Sequence, residues 1–298
     1  MKGIWNSAFG LLLVTGSLLG LTLPFGKLAT VAGVPAILWS LVISAGAGSV
    51  LVCALLLKRQ RLALTVPRLR YFVIAAAISY AIPNLLMFSA MPHLGAGYTG
   101  IMLTLSPVIT LVLSLLLRVR SPNLMGITGI AFGFAGALTV ALTRGEAGKP
   151  AELFWVLMGL LIPVSLACGN VYRTLDWPDA TGPIELAVGS HLAAAAMLAL
   201  GMFVVGQDGS SSFGVLAGVP LLVLAQVASS SAMFAFFFRL QAVGGPVYLS
   251  QIGYIAAAIG LISGTLLLGE RYQALTWVGA AVVVAGVVMT TRAQASSR

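Results

Sequence analysis

Long apolar runs alternate with short polar breaks along the whole chain. The runs fall at residues 5–30, 35–57, 71–91, 97–117, 123–143, 153–173, 183–205, 214–240, 247–268 and 275–291. Each is close to the 20 or so residues that a helix needs to cross roughly 30 Å of hydrocarbon. The breaks, at 32–35, 58–70, 92–95, 118–122, 143–150, 176–183, 207–212, 243–246 and 269–273, carry turn residues or clustered charge. None is long enough for a soluble domain. The pattern predicts an all-α membrane protein of ten transmembrane helices.

Composition agrees. Of the 298 residues, 59% are hydrophobic and 8% charged, against roughly 25% charged in soluble domains. The net charge of +9 would suggest nucleic acid as a partner for a soluble protein. Here the basic residues sit in the breaks and read as topology signals, so the expected partners are the lipid bilayer and a small-molecule substrate. A cytoplasmic N-terminus puts Lys2, Lys58, Arg59, Arg61, Arg68, Arg70, Arg118, Arg120, Arg173, Arg239, Arg292 and Arg298 inside, and only Arg144, Lys149 and Arg271 outside. The even number of spans returns the C-terminus to the cytoplasm of a cell whose inner membrane holds the protein. The first run exceeds a signal-peptide core and reads as a retained span. Cys53 and Cys168 read as small buried hydrophobes with no motif spacing. No cluster of Cys, His and Asp suggests a metal, no cofactor is implied, and a monomer suffices.

An internal repeat appears when the chain is offset by 150 positions. Gly129-Ile-Ala-Phe-Gly-Phe-Ala-Gly136 then falls on Gly279-Ala-Ala-Val-Val-Val-Ala-Gly286, Tyr98 on Tyr248, Gly95 on Gly245 and Phe88 on Phe238. A slightly shorter offset lays Lys27 on Arg173. The halves, 1–148 and 149–298, hold five spans each, so the second enters the membrane inverted. Inverted repeats are the architecture of alternating-access transporters, with substrate held at the midplane between the halves.

The segment Leu266-Leu-Leu-Gly-Glu-Arg271, followed by Trp277-Val-Gly-Ala-Ala-Val-Val-Val-Ala-Gly-Val-Val-Met289, resembles the end of an EamA-type repeat of the drug/metabolite transporter superfamily. The resemblance spans essentially the whole chain and is greatest to the YddG-type exporters of aromatic and other amino acids. It implies two EamA units, export of small metabolites, and no enzyme activity. One departure is that Arg118-Val-Arg120 stands where the second half has Leu268-Gly-Glu270. Glu270 therefore has no counterpart and reads as a solvated span-end carboxylate.

In lipid, polar side chains should face the bundle interior. Tyr80, Asn84 and Met87 fall on one face of span 3, Gln226, Ser230 and Phe237 on one face of span 8. Span 9 offers Tyr248, Gln251 and Tyr254, span 4 offers Tyr98, Met102 and Leu105, and span 6 offers Ser165 and Asn170. Together they suggest a midplane cavity with apolar and aromatic walls and a few amides and hydroxyls. Pro83 and Pro107, inside spans, are candidate gating bends.

Ionisable groups are scarce. His191 reads as a satisfied neutral histidine, Lys27 as a side chain reaching the outer interface, and Glu185 and His93 as interfacial. Span 1 carries Thr15, Ser17 and Thr22 but no acid, so tight proton coupling lacks a carrier. A drug or cation antiporter would want such an acid. A sugar-phosphate carrier would need basic residues deep in the cavity, and Lys27 and Arg173 lie near span ends. No intramembrane protease constellation is present, and a receptor or structural role fits ten spans less well than transport.

Overall fold

The computed structural model describes residues 6–60, 62–119, 123–142, 152–206, 209–268 and 274–296, all in helices and short connections. In chain order the helices are α1 (Ala8–Val31), α2 (Ala36–Leu57), α3 (Val66–Ala76), a π-helical turn (Ala77–Ala81) and α4 (Ile82–Leu103). They continue with α5 (Ser106–Leu116), α6 (Leu124–Leu142), α7 (Leu153–Leu175) and α8 (Pro183–Val204). The chain ends with α9 (Gly209–Ala217), α10 (Pro220–Ser250), α11 (Ile252–Leu268) and α12 (Ala274–Ser296).

Among the described residues, six helical stretches are long and apolar enough to cross a membrane: Ala8–Val31, Ala36–Leu57, Val66–Leu94, Leu153–Leu175, Pro183–Val204 and Pro220–Ser250. Shorter apolar helices cover Met102–Leu116, Leu124–Gly136 and Trp277–Ala293. Their outer faces carry large apolar side chains, with Leu57 86%, Phe203 83% and Leu221 80% exposed. A soluble monomer does not show so much apolar surface. The chain is an all-helical, multi-pass membrane protein.

Local chemistry sets several ends. Ser7 accepts the Gly10 N–H at the start of α1. Gly33, at φ +80°, turns the chain into α2. At α8, Pro183 occupies the first turn and Glu185 Oε2 accepts the Gly182 N–H at 2.9 Å. Glu185 is thus a capping residue.

Several expected boundaries move. Helical structure continues through Pro92 to Leu103 and stops at Thr104 and Leu105, so the expected break at 92–95 is not one. Neighbouring helices let a proline sit within a membrane helix without ending it. Pro107 does not bend a span; it lies in the first turn of α5, where its missing N–H costs nothing. The expected break at 243–246 is present: Gly245 adopts φ +75° and ψ 179°, outside the helical region, and divides α10 into two helical stretches at a kink. The polar stretch after residue 206 leads into the separate short helix α9, and α10 starts only at Pro220. Cys53 and Cys168 are exposed and unpaired, not buried. The expected roles of Glu270, Arg271, Arg144 and Lys149 fall outside the described residues.

The packing is reciprocal. α1 lies on α10 and α11, and α7 lies on the π turn, α4 and α5; α2 packs on α10, and α8 on α3. Two pairs join like positions of the two halves, α2 with α8 and α6 with α12. In the last pair the backbones nearly touch. A Cβ at Gly129 would lie 2.8 Å from the Gly286 carbonyl, and one at Gly136 would lie 2.6 Å from that of Gly279. The 150-position offset carries Gly129 to Gly279 and Gly136 to Gly286, so the two contacts map onto each other. Small residues at such a crossing bring backbones close enough for strong van der Waals packing.

This contact yields a prediction. A methyl group at Gly286 would meet Gly133 N at 2.5 Å and the Gly129 carbonyl at 2.6 Å, both backbone. Gly286→Ala is expected to destabilise by about 1–3 kcal/mol, read as a lower melting temperature in detergent. At Gly214 a methyl group would have nothing within 4 Å, so alanine there should leave the melting temperature unchanged.

Candidate functional site

The π turn is the local feature from which the site grows. Pro83 has no N–H and cannot close a bond to the preceding turn. The Ile82 N–H reaches back five residues to the Ala77 carbonyl. In that register the Ile78 carbonyl would pair with residue 83, where proline offers no donor. Ser165 on α7 supplies it: its Oγ donates to the Ile78 carbonyl at 2.7 Å. The wide turn is thereby held by the neighbouring helix, and it turns Ser79 and Tyr80 inward, both buried.

Facing them is Arg173, in the last turn of α7 and only 1% exposed. Its Nη1 donates to Ser79 Oγ. Its Nη2 donates to Asn170 Oδ1 at 2.6 Å and to Gln241 Oε1 at 3.3 Å. Gln241, on α10, in turn donates to the Asn170 carbonyl at 2.9 Å and to Thr174 Oγ1 at 2.5 Å. Asn170 Nδ2 reaches Thr110 Oγ1 on α5 at 3.4 Å. Gly169 makes room, since a Cβ there would collide with Ser79 Oγ and approach Arg173 Nη1 at 3.1 Å. The π turn, α7 and α10 meet at one guanidinium, and α5 joins through Asn170, with no carboxylate paired to Arg173 among the described residues.

Aromatic rings complete the surroundings. The Arg173 Cζ lies 4.8 Å from the Phe237 centroid and 5.9 Å from that of Tyr80, within cation–π range. Tyr80 packs on His191 at 4.4 Å and edge-on to Phe234 at 5.3 Å, and His191 meets Phe234 at 3.9 Å. The Tyr80 hydroxyl, both His191 ring nitrogens and Arg173 Nε are buried without a protein hydrogen-bond partner. His191 is therefore not the satisfied histidine expected from sequence. Buried polar atoms are normally paired, so a group of unpaired ones in a single cluster marks a site.

One turn further along α7 lies a second layer. Tyr71 and Tyr172 stack at 5.8 Å, Tyr172 Oη donates to Asp176 Oδ2 at 2.5 Å, and Arg70 forms an ion pair with Asp176. Arg68 donates to the Ala180 carbonyl at 3.1 Å. Arg70 is largely exposed, so its pair is worth on the order of 0–1 kcal/mol. The layer ties the start of α3 to the loop after α7.

The sequence-derived candidates separate into groups. Tyr80 and Asn170 join Arg173 directly. Asn84, one turn beyond Tyr80, is half-buried, and Pro83 is buried beside it. Gln226 donates to Ser230 Oγ at 2.6 Å along α10, leaving its own Oε1 unpaired. Met102 packs against α7 at Gly159. Tyr248, Gln251 and Tyr254 face elsewhere. Tyr248 Oη bonds Thr291 Oγ1, Gln251 Oε1 accepts from Thr290, and Tyr254 Oη donates to the Ile130 carbonyl at 3.0 Å, all on α6 or α12. The Tyr98 side chain lies outside the described residues. Pro107 is buried at the start of α5. Lys27, at the position matching Arg173, is half-buried on α1. His93 stacks on Trp155 at 3.8 Å.

Arg173 is the residue that sequence reasoning misplaced. Its number puts it at a span end, among the cytoplasmic charges, but its side chain is buried inside the bundle. Two signals pointed the other way: Asn170 lies three residues before it on the same helical face, and the repeat matches it with another basic residue, Lys27.

The π turn can be tested by a double-mutant cycle. Ser165→Ala should cost about 1 kcal/mol, by orphaning the Ile78 carbonyl. In a Pro83→Ala background, where residue 83 regains an N–H, the same change should cost close to nothing. Additive melting-temperature losses would show that Ser165 does not stand in for the missing donor.

Three comparisons with known proteins bear on these observations. Residues 6–142 match the EamA-like transporter family. The uncharacterized inner membrane transporter YedA of Escherichia coli K12 is 26% identical over 252 residues, covering 82% of this chain and 78% of YedA. The YedA proteins of strains O6:H1 and O157:H7 match equally. A solved crystal structure shares the fold with a TM-score of 0.72 at 20% identity, over 96% of this chain and 98% of the other. The protein is a multi-pass helical membrane protein whose residues 6–142 match the EamA-like transporter family and which is similar over most of its length to an inner membrane transporter.

Proposed function

We propose that this protein is an inner-membrane exporter of small metabolites, aromatic and other amino acids among them. It works by alternating access between two inverted halves of five spans, with both termini in the cytoplasm. The reciprocal packing supports this reading, above all the paired glycine contacts of α6 and α12. An inverted repeat offers two equivalent arrangements in which either side of the bundle closes. The layer of Tyr71, Tyr172, Asp176 and Arg70, together with Arg173 behind it, closes the side carrying the start of α3 and the end of α7. The basic residues of that side make it cytoplasmic.

The pathway is lined by Tyr80, Asn84, Asn170, Gln226 and Ser230, with the rings of Phe234 and Phe237 as apolar wall. Pro83 and the π turn place the first of these where a small change in helix geometry moves them. No acid lies on α1, so export runs downhill or with weak coupling to protons. Tyr248, Gln251 and Tyr254 tie α10 and α11 to the α6–α12 pair and serve as supports.

Counterflow in proteoliposomes tests the function. Vesicles preloaded with L-phenylalanine should accumulate labelled L-phenylalanine without an imposed pH gradient. Exchange confined to lipophilic cations or phosphorylated solutes would refute the amino-acid reading. Exchange of no solute in a panel of amino acids, sugars, phosphorylated solutes and lipophilic cations would refute transport itself.

A further inference from the structure

We infer that Arg173 is the docking point for a substrate carboxylate, with the solute's apolar body seated against Tyr80, Phe234 and Phe237. This deepens the transport reading above and rests on it for the route by which the solute arrives. A guanidinium stays ionised at any physiological pH. Placed within the bundle of a membrane protein, at 1% exposure and without a paired carboxylate among the described residues, it is held by neutral dipoles alone. Removing such a charge from water is costly, and neutral acceptors compensate it less well than an anion does. An arginine kept in this state is one whose best partner is not part of the chain.

The distribution of its bonds shows where that partner fits. Nε and Nη2 share one edge of the guanidinium, the edge that takes a carboxylate side-on with two parallel hydrogen bonds. Nε has no partner. Nη2 reaches Gln241 Oε1 at 3.3 Å, the longest of the Arg173 bonds. Gln241 does not depend on that bond, because its Nε2 stays anchored to the Asn170 carbonyl and Thr174 Oγ1. A carboxylate can therefore replace one weak neutral contact, satisfy Nε, and leave Ser79 and Asn170 in place. Each new bond is charge-assisted and roughly twice as strong as a neutral one.

The class of solute follows from the surroundings. Two neighbouring rings, Phe237 and Tyr80, lie beside the guanidinium, and the aromatic cluster continues from Tyr80 to His191 and Phe234, so the body attached to the carboxylate is apolar and suits a planar group. The unpaired Tyr80 hydroxyl and His191 nitrogens can accept or donate at its edge. An uncharged amide of the same shape would not compensate the guanidinium, and a cation would be repelled.

The test compares ligands of one shape and different charge. Purified protein in detergent is titrated with 3-phenylpropanoate, its neutral isostere 3-phenylpropanamide, and L-phenylalanine, and melting temperature is followed. The two carboxylates are expected to stabilise the protein in a saturable way and the amide to bind at least tenfold more weakly. Arg173→Gln should abolish the difference between acid and amide. Arg173→Lys keeps the charge and loses the two-pronged geometry, so it should fold as the parent does and bind 3-phenylpropanoate at least tenfold more weakly. Equal stabilisation by acid and amide, stabilisation by neither, or an Arg173→Lys protein that folds and binds 3-phenylpropanoate undiminished would overturn the proposal. Counterflow run in parallel separates the two readings: phenylalanine exchange that the amide inhibits equally leaves transport standing and removes the role of Arg173. Binding of 3-phenylpropanoate without phenylalanine exchange leaves the carboxylate site standing and removes amino-acid transport.

Discussion

A positive charge inside an apolar bundle needs oxygen atoms around it, and that need organises this protein around Arg173. The oxygens come from Ser79, Asn170 and Gln241, on three separate elements of the chain. Asn170 is reached along its own helix, but Ser79 comes within hydrogen-bond reach only through local features on both sides. On the α3 side this is the π turn before Pro83, whose freed carbonyl is taken by Ser165. On the α7 side it is Gly169, whose missing side chain lets Ser79 in. The same helix therefore supplies the charge, one of its acceptors, the space for another, and the hydroxyl that stabilises the opposing turn.

Around this centre the helices pack in a pattern that repeats between the halves. The glycine contacts of α6 and α12 form a tight pair at one side, braced by the hydroxyls of Tyr254 and Thr290. The α2–α8 contact and the π turn surround the ring cluster of Tyr80, His191 and Phe234. One region is thus closely interlocked through backbone, and the other is held by side chains and carries unpaired polar atoms. In the proposed cycle, motion is easiest where contacts are side chains that can exchange partners. The exposed Arg70–Asp176 pair and the Tyr71–Tyr172 stack, both modest in strength, are contacts of this kind.

Much of the architecture was legible in the chain. α1, α2, α7 and α8 follow their apolar runs closely, because each run is bounded by real turn chemistry such as Gly33 or Pro183. The stretch 92–105 was not legible in the same way. In lipid a proline interrupts hydrogen bonding without forcing the chain out of the helix, so Pro92 does not end α4, whereas Gly245, at a non-helical φ/ψ, breaks α10 where the sequence expects it. Periodicity grouped Tyr248, Gln251 and Tyr254 on one face, but a face does not say which neighbour it meets, and their side chains bond α6 and α12. Arg173 was hidden for a related reason. Its sequence position is near an end, whereas a long flexible side chain can carry its charge well away from its own Cα.

The central claim is that the face of the π turn and α4 bearing Tyr80 and Asn84 lines a pathway that opens to water. Asn84→Cys, in a chain whose Cys53 and Cys168 are serine, can be probed in sealed vesicles with a membrane-impermeant maleimide applied from one side at a time. Labelling is expected from each side as the protein cycles, slowed by a saturating carboxylate solute. A cysteine at residue 84 that no impermeant reagent reaches from either side, in protein that remains folded and active, would contradict the claim.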